Sequence, residues 1–466
     1  MNKKITPHFL FLLLAFATVV YSADEIRIES LFCSIIIFLY FFLYFIKIKL
    51  YKYLNNVCGF IVFILTFVRY FLIPLLIISD DGYMSYKPMD SAANGTFFVQ
   101  GAVMTIWEML FCGWFIYRKF PKWYGQERIR HQEFETPAFL WLLMNIAFGV
   151  LIFVNLSVLN DFTIVVNLKP DDSVFEESVH KSLTETVAII GARVVKIILP
   201  IPILCVLYKR YNRHHSYTPY FMGLVVLLFF YAFILEGNSR NSIIIPAVAA
   251  LFILYTLFPR YSKSTYILII PAIALVAVLS SVWKSFSGDF VLASISPFTY
   301  WISYLEMYFA GISNIGKAVY GYQHTDIIIN PIMALNDMGQ TIPFVNVLVD
   351  YQNTSSYVFQ RVWGRSDQVI PALGNGLFYF GYVFAPLVSV VFISIAHYFE
   401  KLKNNARGLP EFIIYCYACA IVSYNIYNSI HTMMMKLTIT ILPLMFAVYL
   451  ANCVNRKKRN GTSNVY

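Results

Sequence analysis

Apolar side chains occur in long runs along most of this chain, and short polar segments separate the runs. The runs are about 17 to 25 residues long, which is the length that an α-helix needs to cross roughly 30 Å of hydrocarbon. They predict twelve membrane-spanning helices, at 6–22, 30–46, 57–78, 97–117, 137–156, 186–207, 219–235, 243–258, 265–283, 377–396, 410–428 and 432–451. The predicted fold class is therefore all-α and polytopic, because a helix pairs its backbone polar groups internally when lipid surrounds it.

The connections between these runs alternate in charge, which predicts how the chain is oriented in the membrane. Lys and Arg concentrate on one side, in the segments 47–52, 118–130, 209–213, 401–407 and 456–459. Cytoplasmic loops retain positive charge, so both termini are predicted to be cytoplasmic, with 452–466 as a basic tail. The net charge of +10 then reflects topology rather than nucleic-acid binding. A cleaved signal segment at 3–23 is the alternative for the first run, and its removal would leave the remaining topology unchanged.

Composition agrees with a membrane protein and argues against several kinds of chemistry. Hydrophobic residues make up 59% of the chain and charged residues 13%, whereas a soluble domain has about 25% charged residues. The seven cysteines fall in predicted spans or on the cytoplasmic side, so disulfides are not expected, and Cys416 and Cys419 are interpreted as packing residues. No phosphate-binding loop, zinc-ligand spacing or dinucleotide fingerprint occurs in the sequence. We therefore expect neither a cofactor nor a metal.

One connection is much longer than the others and is predicted to lie outside the cytoplasm, between spans 9 and 10. It divides the chain into a bundle at 1–283, a large outer loop or lid at 284–376 and a second bundle at 377–451. Long loops in compact proteins are usually functional. Ser296-Pro297 predicts a helix start. The aromatic-rich segment 298–320 that follows is expected to lie along the membrane surface or to fold back onto the bundle.

Ionisable residues within predicted spans are candidates for function, because a charge in lipid is expensive unless it has a partner. They are Arg69, Glu108, Arg193, Lys196 and Lys436. Arg69 either pairs with Glu108 or binds an anion. Arg193 and Lys196 lie within one helical turn and repel each other unless an anion is near, which favours an anion site there. For Lys436, close to a span end, extension of the side chain to the interface is favoured.

Three arginines lie on the predicted outer face, which otherwise contains mostly acidic residues. Arg240 occupies a short polar turn at 236–242, and Arg361 and Arg365 are four residues apart in the large loop. The planar guanidinium group binds phosphate oxygens through two parallel hydrogen bonds. These arginines are therefore candidate phosphate ligands. The alternatives are a helix-end charge for Arg240 and a solvated helix face for the other two.

The layout as a whole resembles the bacterial Wzy-type polymerases of O-antigen and capsule, which join lipid-linked oligosaccharide repeat units. The resemblance lies in the many spans, in Arg69 with Pro74 in an early span, in the Asn-Ser-Arg turn that ends at Arg240, and in the large late outer loop. Arg365 and Gly376 fit an arginine-to-glycine spacing of some members. The Phe-Gly stretch after Gly376 is similar to the one that opens a late span in this family.

The resemblance implies a glycosyltransferase of the bacterial cytoplasmic membrane. A sugar hydroxyl of one undecaprenyl-pyrophosphate-linked repeat unit attacks the anomeric carbon of the growing chain and expels undecaprenyl pyrophosphate. Cations must stabilise this leaving group, and a base must accept the hydroxyl proton. The candidate pyrophosphate ligands are Arg240, Arg361, Arg365, Arg69, Arg193 and Lys196. The candidate catalytic residues are His324 and Asp326, two residues apart in the large loop, with Glu306, Asp337 and Asp367 as competitors.

Besides the lipid-linked substrate and the bilayer, the resemblance implies a chain-length regulator and a separate flippase as partners. Two other functions stay open. An O-antigen ligase-like glycosyltransferase shares the layout, but ligases use a lid histidine followed by Asn, whereas Thr325 follows His324 here. A flippase for lipid-linked sugars is also expected to be a twelve-span basic protein. The large outer loop and the lack of two-half symmetry in the sequence favour the polymerase over the flippase.

Overall fold

The structure is a computed structural model that describes most of the chain. The residues described are 28–80, 91–124, 134–156, 159, 162–164, 183–236, 241–265, 267, 297–324, 330–342, 345–363 and 369–462. Two of the predicted spans, 6–22 and almost all of 265–283, lie outside these residues.

The regular secondary structure of the described residues is helical apart from one pair of three-residue strands, and turns connect the elements. The elements of the first half are α1 Ile28–Ile48, α2 Val57–Ile78, α3 Ser91–Tyr124, α4 Ala138–Val154, β1 Phe162–Ile164, α5 Thr184–His214, α6 Tyr217–Tyr231, β2 Ile234–Glu236, α7 Asn241–Leu257 and α8 Pro259–Thr265. The elements of the second half are α9 Pro297–Tyr308, α10 Ile312–Gln323, α11 Pro331–Gly339, α12 Ser355–Trp363, α13 Ala372–Phe384, α14 Leu387–Asn404, α15 Leu409–Tyr424 and α16 Ile430–Val454. The strands β1 and β2 pair antiparallel, with Phe162 opposite Glu236.

Several of these helices are long and apolar enough to cross a membrane. They are α1, α2, the part of α3 at Phe97–Tyr124, α5 and α16. Two further pairs, α7 with α8 and α13 with α14, pass the same test together but are bent by 116° and 113°. The described residues thus contain 5 candidate spans, or up to 7 if each bent pair is one span. The prediction of a helical membrane protein is confirmed at this level, while twelve spans, the orientation of the termini and the outer loop stay predictions.

The chain divides into two compact units. Unit 1 contains 1–127, 293–394 and 423–434, and unit 2 contains 128–292, 395–422 and 435–466. In unit 1, α10 packs against α3 so closely that only glycine fits at the contact. A Cβ on Gly316 would lie 2.2 Å from the carbonyl oxygen of Phe97, and a Cβ on Gly101 would lie 2.2 Å from that of Ile312. Small residues at helix crossings allow such close approach. Most of α10 is buried, so this part of the large loop folds back onto the helices of unit 1.

The aromatic-rich segment 298–320 is two helices rather than one. The first, α9, begins at the predicted proline, and the chain turns sharply at Ala310, whose φ is 51°. Glu306 stabilises this turn, because its backbone oxygen accepts a 2.7 Å hydrogen bond from Gly311 N and its Oε1 accepts a 3.0 Å hydrogen bond from Ser313 N. A carboxylate at this position satisfies an N–H group that the start of α10 leaves without an intrahelical partner. Glu306, a competitor for the catalytic base, therefore has a structural role.

The predicted tenth span, 377–396, includes the break between α13 and α14. Gly381 has a φ of 71°, a conformation that glycine adopts readily and other residues avoid. Next to the break, Trp107 Nε1 donates a 3.0 Å hydrogen bond to the carbonyl oxygen of Val383. In lipid, non-helical backbone persists only where its polar groups find such partners or line a cavity. The break is thus supported by a side chain from α3.

In unit 2, the helix α5 contains two prolines, and a side chain of a neighbouring helix forms the hydrogen bond that one of the prolines removes. Pro202 has no N–H group, so the carbonyl of Ile198, four residues earlier in α5, loses its intrahelical partner. Asn145 Nδ2 in α4 donates a 3.3 Å hydrogen bond to this carbonyl oxygen. The helix therefore continues past Pro200 and Pro202 to its end at His214.

A buried ion pair lies at the end of α14 in unit 2. Lys403 Nζ pairs with Glu400 Oε1, three residues before it. Cys419 Sγ donates a 3.2 Å hydrogen bond to the second Glu400 oxygen, and Cys416 Sγ donates a 3.7 Å hydrogen bond to the carbonyl oxygen of Ala249. Both cysteines are buried, and neither forms a disulfide with a described residue. Their contacts agree with the interpretation of Cys416 and Cys419 as packing residues.

Candidate functional site

The structure separates the predicted site residues into three groups. Outside the described residues lie Arg240, Asp326 and Arg365, together with the competitor Asp367. Exposed at helix ends lie His324 and Arg361. Within helices lie Arg69, which belongs to unit 1, and Arg193 and Lys196, which belong to unit 2.

His324 is tied to the helix that precedes it. Its ring stacks on the Tyr320 ring with 3.7 Å between the centroids, and its Nδ1 lies 3.0 Å from the Tyr320 carbonyl oxygen. Arg361 lies in the last turn of α12 and is exposed. In unit 2, Arg193 is half-buried and Lys196 is buried on the same face of α5. The anion predicted for Arg193 and Lys196 stays a prediction.

Arg69 is the centre of a buried polar cluster in unit 1, which we call the Arg69 cluster and which also contains Glu108, Ser389 and Tyr427. The Arg69 side chain is 1% exposed, and its Nη2 forms an ion pair with Glu108 Oε2. Ser389 Oγ in α14 donates a 2.6 Å hydrogen bond to the other Glu108 oxygen. The guanidinium carbon lies 4.2 Å from the centroid of the Tyr427 ring, a cation–π contact. Pairing of Arg69 with Glu108, one of the two alternatives from the sequence, is therefore present.

Two nitrogen atoms of the Arg69 guanidinium group form no hydrogen bond with the described residues. Arg69 Nε and Nη1 are buried and have no hydrogen-bond partner among the described residues. Taking a charge pair out of water is costly, and replacement of such pairs by apolar residues is often neutral or stabilising. An ion pair that is kept despite this cost is a candidate for a role besides stability. The N–H groups on these two nitrogen atoms are the ones that an anion would have to meet if it bound beside the Arg69–Glu108 pair.

A second buried polar cluster in unit 1, the Asp337 cluster, consists of Asp337, Ser355, Asn375, Tyr379 and His431. The side chain of Asp337 in α11 is fully buried. Its Oδ2 accepts hydrogen bonds from Ser355 N at 3.1 Å, from Ser355 Oγ at 2.6 Å and from the Tyr379 hydroxyl at 2.5 Å. Its Oδ1 has no partner among the described residues. Burial raises the pKa of the Asp337 carboxyl above its usual value, and the hydrogen bonds from Ser355 and Tyr379 oppose that shift.

Asn375 joins three helices within the Asp337 cluster. Its Nδ2 donates a 2.7 Å hydrogen bond to Ser355 Oγ at the start of α12. Its Oδ1 accepts a 2.9 Å hydrogen bond from Ile430 N at the start of α16. The amide is therefore fixed at both ends, and it fixes the Ser355 hydroxyl that donates to Asp337.

His431 lies in the first turn of α16, one residue after Ile430. Its Nδ1 is buried and has no hydrogen-bond partner among the described residues. The charge of Asp337 acts on His431, so the two side chains are close enough to interact electrostatically. A carboxylate and an imidazole in one enclosed cluster are groups that take up and release protons in catalysis.

Each cluster includes side chains from one half of the broken helix that consists of α13 and α14. Asn375 and Tyr379 of the Asp337 cluster lie on α13, whereas Ser389 of the Arg69 cluster lies on α14. The N–H group of Ala372, which begins α13, donates a 3.1 Å hydrogen bond to the carbonyl oxygen of Tyr427, whose ring covers Arg69. Unit 1 therefore holds a buried carboxylate and a buried cation around one interrupted helix, an arrangement that is typical of membrane sites.

The sequence does not predict a functional role for four members of the Asp337 cluster, which are Ser355, Asn375, Tyr379 and His431. It offers Asp337 only as one of several alternative catalytic bases. None of these four residue types carries a fixed charge at neutral pH. A fixed charge within an apolar run is the stronger sequence signal for a functional residue. The available signals are an asparagine between two glycines and a histidine in the first turn of an apolar run. Either signal identifies a polar residue in a span, but neither indicates its partners.

Comparison with known proteins gives no relative of this chain: no family model matches it, and neither does any curated protein or solved structure. Within the part of the chain that the structure describes, no group of three His, Cys, Asp or Glu side chains is placed to hold a metal ion. Any functional conclusion therefore rests on the sequence pattern and on the two buried clusters.

Proposed function

We propose that this protein joins undecaprenyl-pyrophosphate-linked oligosaccharide repeat units into O-antigen or capsular polysaccharide, as the Wzy-type polymerases do. One observation carries the proposal: the large loop contributes a fully buried carboxylate, Asp337, to a polar cluster on a broken apolar helix. The reaction is a glycosyl transfer at the outer face of the bacterial cytoplasmic membrane. The donor linkage supplies the driving force.

In this reaction one bond to the anomeric carbon forms and one breaks. The acceptor hydroxyl oxygen attacks that carbon, the bond from the carbon to the pyrophosphate oxygen breaks, and the hydroxyl proton passes to a base. Asp337 suits the role of base, because its Oδ1 has no partner among the described residues and because a raised pKa makes a carboxylate a stronger base. We favour it over His324, whose ring is exposed and stacked on Tyr320. Asp326 stays a candidate.

The departing pyrophosphate requires positively charged hydrogen-bond donors. Arg69 is supported for this role by its buried Nε and Nη1 groups, which have no partner within the described residues. Its guanidinium plane suits the geometry of phosphate oxygens. The other candidates are Arg240, Arg361, Arg365, Arg193 and Lys196. Loss of one such donor is expected to lower turnover on the order of 10²-fold.

A flippase or another transporter of lipid-linked sugars is the second candidate, because one feature of the fold favours it. Interrupted helices form the substrate sites of many transporters. The pairs α7 with α8 and α13 with α14 are both sharply bent. The two functions predict different surface sugars when the protein is inactive. A polymerase defect leaves finished single repeat units on the cell surface, whereas a flippase defect leaves none.

The test is deletion of the gene in the source bacterium and complementation with the wild type, with Asp337→Asn or with the control Asp350→Asn. Asp350 lies in the same loop but is exposed, and its Oδ1 accepts a local hydrogen bond from Gln352 N. Loss of a general base costs about 10²- to 10⁴-fold in rate. Gels should therefore show single capped repeat units from Asp337→Asn and long polymer from Asp350→Asn. Long polymer from Asp337→Asn would contradict the assignment of the base.

The membrane orientation is tested separately with a reporter fused after Gln340. The proposal requires the large loop to lie outside the cytoplasm, so the fusion should have extracytoplasmic activity. Cytoplasmic activity would contradict the orientation and, with it, the placement of the reaction.

A further inference from the structure

Two buried atoms of the Asp337 cluster stand apart from the rest of its hydrogen-bond network. Oδ2 of Asp337 accepts three hydrogen bonds, and both ends of the Asn375 amide are used. In contrast, Asp337 Oδ1 and His431 Nδ1 are buried and have no partner among the described residues. A buried polar atom without a partner costs free energy, and most such atoms in native proteins are satisfied by protein, water or ligand. The two atoms belong to one cluster, because Asn375 bonds both to Ser355, which donates to Asp337, and to the backbone N–H of Ile430, the residue before His431.

The chemistry of the two atoms restricts which group can satisfy both of them. A carboxylate oxygen accepts a hydrogen bond, and a neutral imidazole with its proton on Nδ1 donates one. An anion would be repelled by Asp337, and an ammonium group fits only the other tautomer, in which Nδ1 has no proton and accepts a hydrogen bond. A hydroxyl group satisfies both atoms, because it donates its proton to Asp337 Oδ1 and accepts the hydrogen bond from His431 Nδ1.

We propose that Asp337 Oδ1 and His431 Nδ1 together bind the attacking hydroxyl of the acceptor sugar, with His431 orienting the oxygen and Asp337 taking the proton. This inference rests on the proposed polymerase function and assigns a further substrate-binding residue to it. When the hydroxyl oxygen bonds to the anomeric carbon, its proton moves to Asp337 Oδ1 and the pyrophosphate leaves with the electrons of the broken bond. The N–H group of His431 holds the oxygen throughout and loses no proton.

The helix that carries Asp337, α11, has one buried and one exposed face. Asp337 is fully buried on α11, while Ile332 and Leu335 on the same helix are 65% and 63% exposed. Asn330 N, directly before α11, donates a 3.0 Å hydrogen bond to the carbonyl oxygen of Phe378 in α13. Because Asp337 is fully buried, the proposal requires α11 to move away from α13 before an acceptor sugar can reach it.

The experiment compares three substitutions of His431 in purified protein reconstituted in liposomes. The substrate is the pool of lipid-linked repeat units extracted from the deletion strain. His431→Ala removes the donor, and His431→Asn replaces it, because the asparagine amide nitrogen occupies about the position of Nδ1. His431→Gln places its amide nitrogen near Nε2 instead. His214→Ala is the matched control, since His214 is an exposed histidine in the last turn of α5.

We expect kcat/KM per folded molecule to fall on the order of 10- to 100-fold in His431→Ala and His431→Gln, the effect of losing one hydrogen bond to a reacting group. His431→Asn should recover most of this loss, and His214→Ala should equal the wild type. Equal activity of the Asn and Gln variants would overturn the inference. The inference would also be overturned if the His431 variants gave less folded protein but unchanged kcat/KM. In that case the two atoms hold a structural water molecule and not the acceptor hydroxyl. Failure of the wild type to join any units would instead overturn the proposed function itself.

Discussion

The buried Arg69–Glu108 pair gives a direct test of whether this cation is present for function or for architecture. Glu108→Ala removes the counter-charge, so Arg69 would remain in the core of unit 1 with its Tyr427 ring contact and without a carboxylate. Breaking a buried pair in this way costs about 3–5 kcal/mol of folding free energy. Ser389 Oγ also loses the acceptor of its 2.6 Å hydrogen bond. Arg69→Ala should be destabilising for the converse reason.

Replacement of both Arg69 and Glu108 distinguishes an effect on folding stability from an effect on turnover. In Arg69→Met with Glu108→Leu, apolar side chains of similar volume replace the two charges, and such replacements are often neutral or stabilising by about 1–4 kcal/mol. The double variant should therefore fold as well as the wild type. If Arg69 contributes donors to the departing pyrophosphate, turnover should still fall on the order of 10²-fold.

Unit 2 provides a matched control for this experiment. Glu400 and Lys403 also form a buried ion pair, and Glu400→Leu with Lys403→Met makes the same kind of replacement in a pair with no proposed role in the reaction. Folding free energies are measured by equilibrium unfolding in mixed micelles with a rising fraction of SDS. Polymer length is read on gels from the complemented deletion strain.

Two results would refute the reasoning on Arg69. If the double variant is stable and gives long polymer, Arg69 has a structural role and does not bind pyrophosphate. If Glu108→Ala is as stable as the wild type, the guanidinium group is not as isolated from water as its 1% exposure indicates. Loss of polymer in the Glu400 and Lys403 control would mean that the assay responds to any buried charge pair.

Three further predictions concern backbone geometry and pH. Gly381→Ala puts a Cβ on a residue inside α13 with a φ of 71° and a ψ of −176°, a region that essentially only glycine adopts, so unfolding in SDS should become easier by about 1–3 kcal/mol, and an unchanged curve would contradict this backbone conformation. Gly316→Ala brings a Cβ to 2.2 Å from the Phe97 carbonyl oxygen, so the yield of folded protein should fall, whereas Gly321→Ala, which meets nothing within 4 Å, should not lower it. Burial raises the pKa of Asp337, so the folded state binds its proton more tightly than the unfolded state. Stability should therefore decline as pH rises from about 4 towards that raised pKa, and Asp337→Asn should lack this contribution.

The helical membrane character of this protein can be predicted from its sequence, because each described span is a run of apolar residues of the required length. The pairing of Arg69 with Glu108 is also among the alternatives that the sequence offers, since both charges fall in predicted spans. The kink at Gly381, inside α13, and the break between α13 and α14 that follows it are different. Apolar and aromatic residues continue on both sides of each, so a hydropathy pattern over 377–396 is the same for one straight helix and for two bent ones. Gly381 and Pro386 are residues that interrupt helices, but a hydropathy pattern does not register either of them as a break.

The Asp337 cluster shows why sequence proximity is a weak guide to a site. His324 and Asp326 are selected because they are two residues apart, yet the structure leaves His324 exposed at a helix end. The five residues of the Asp337 cluster come from four separate helices, and His431 is almost a hundred residues after Asp337 in the chain. Helix packing brings these residues together, and spacing along the chain does not encode that packing.

The glycine contact between α3 and α10 has a consequence for biosynthesis. The groove at Gly101 is synthesised roughly two hundred residues before Gly316, which fills it. At a synthesis rate of about 5–20 residues per second, the nascent chain waits about 10–40 s with this groove open. During that interval, a bare glycine surface on α3 is available to lipid, to the insertion machinery or to a glycine-containing helix of another nascent protein. A chain that ends before α10 would therefore expose the glycine face of α3 permanently. We expect membrane quality-control proteases to degrade such a fragment.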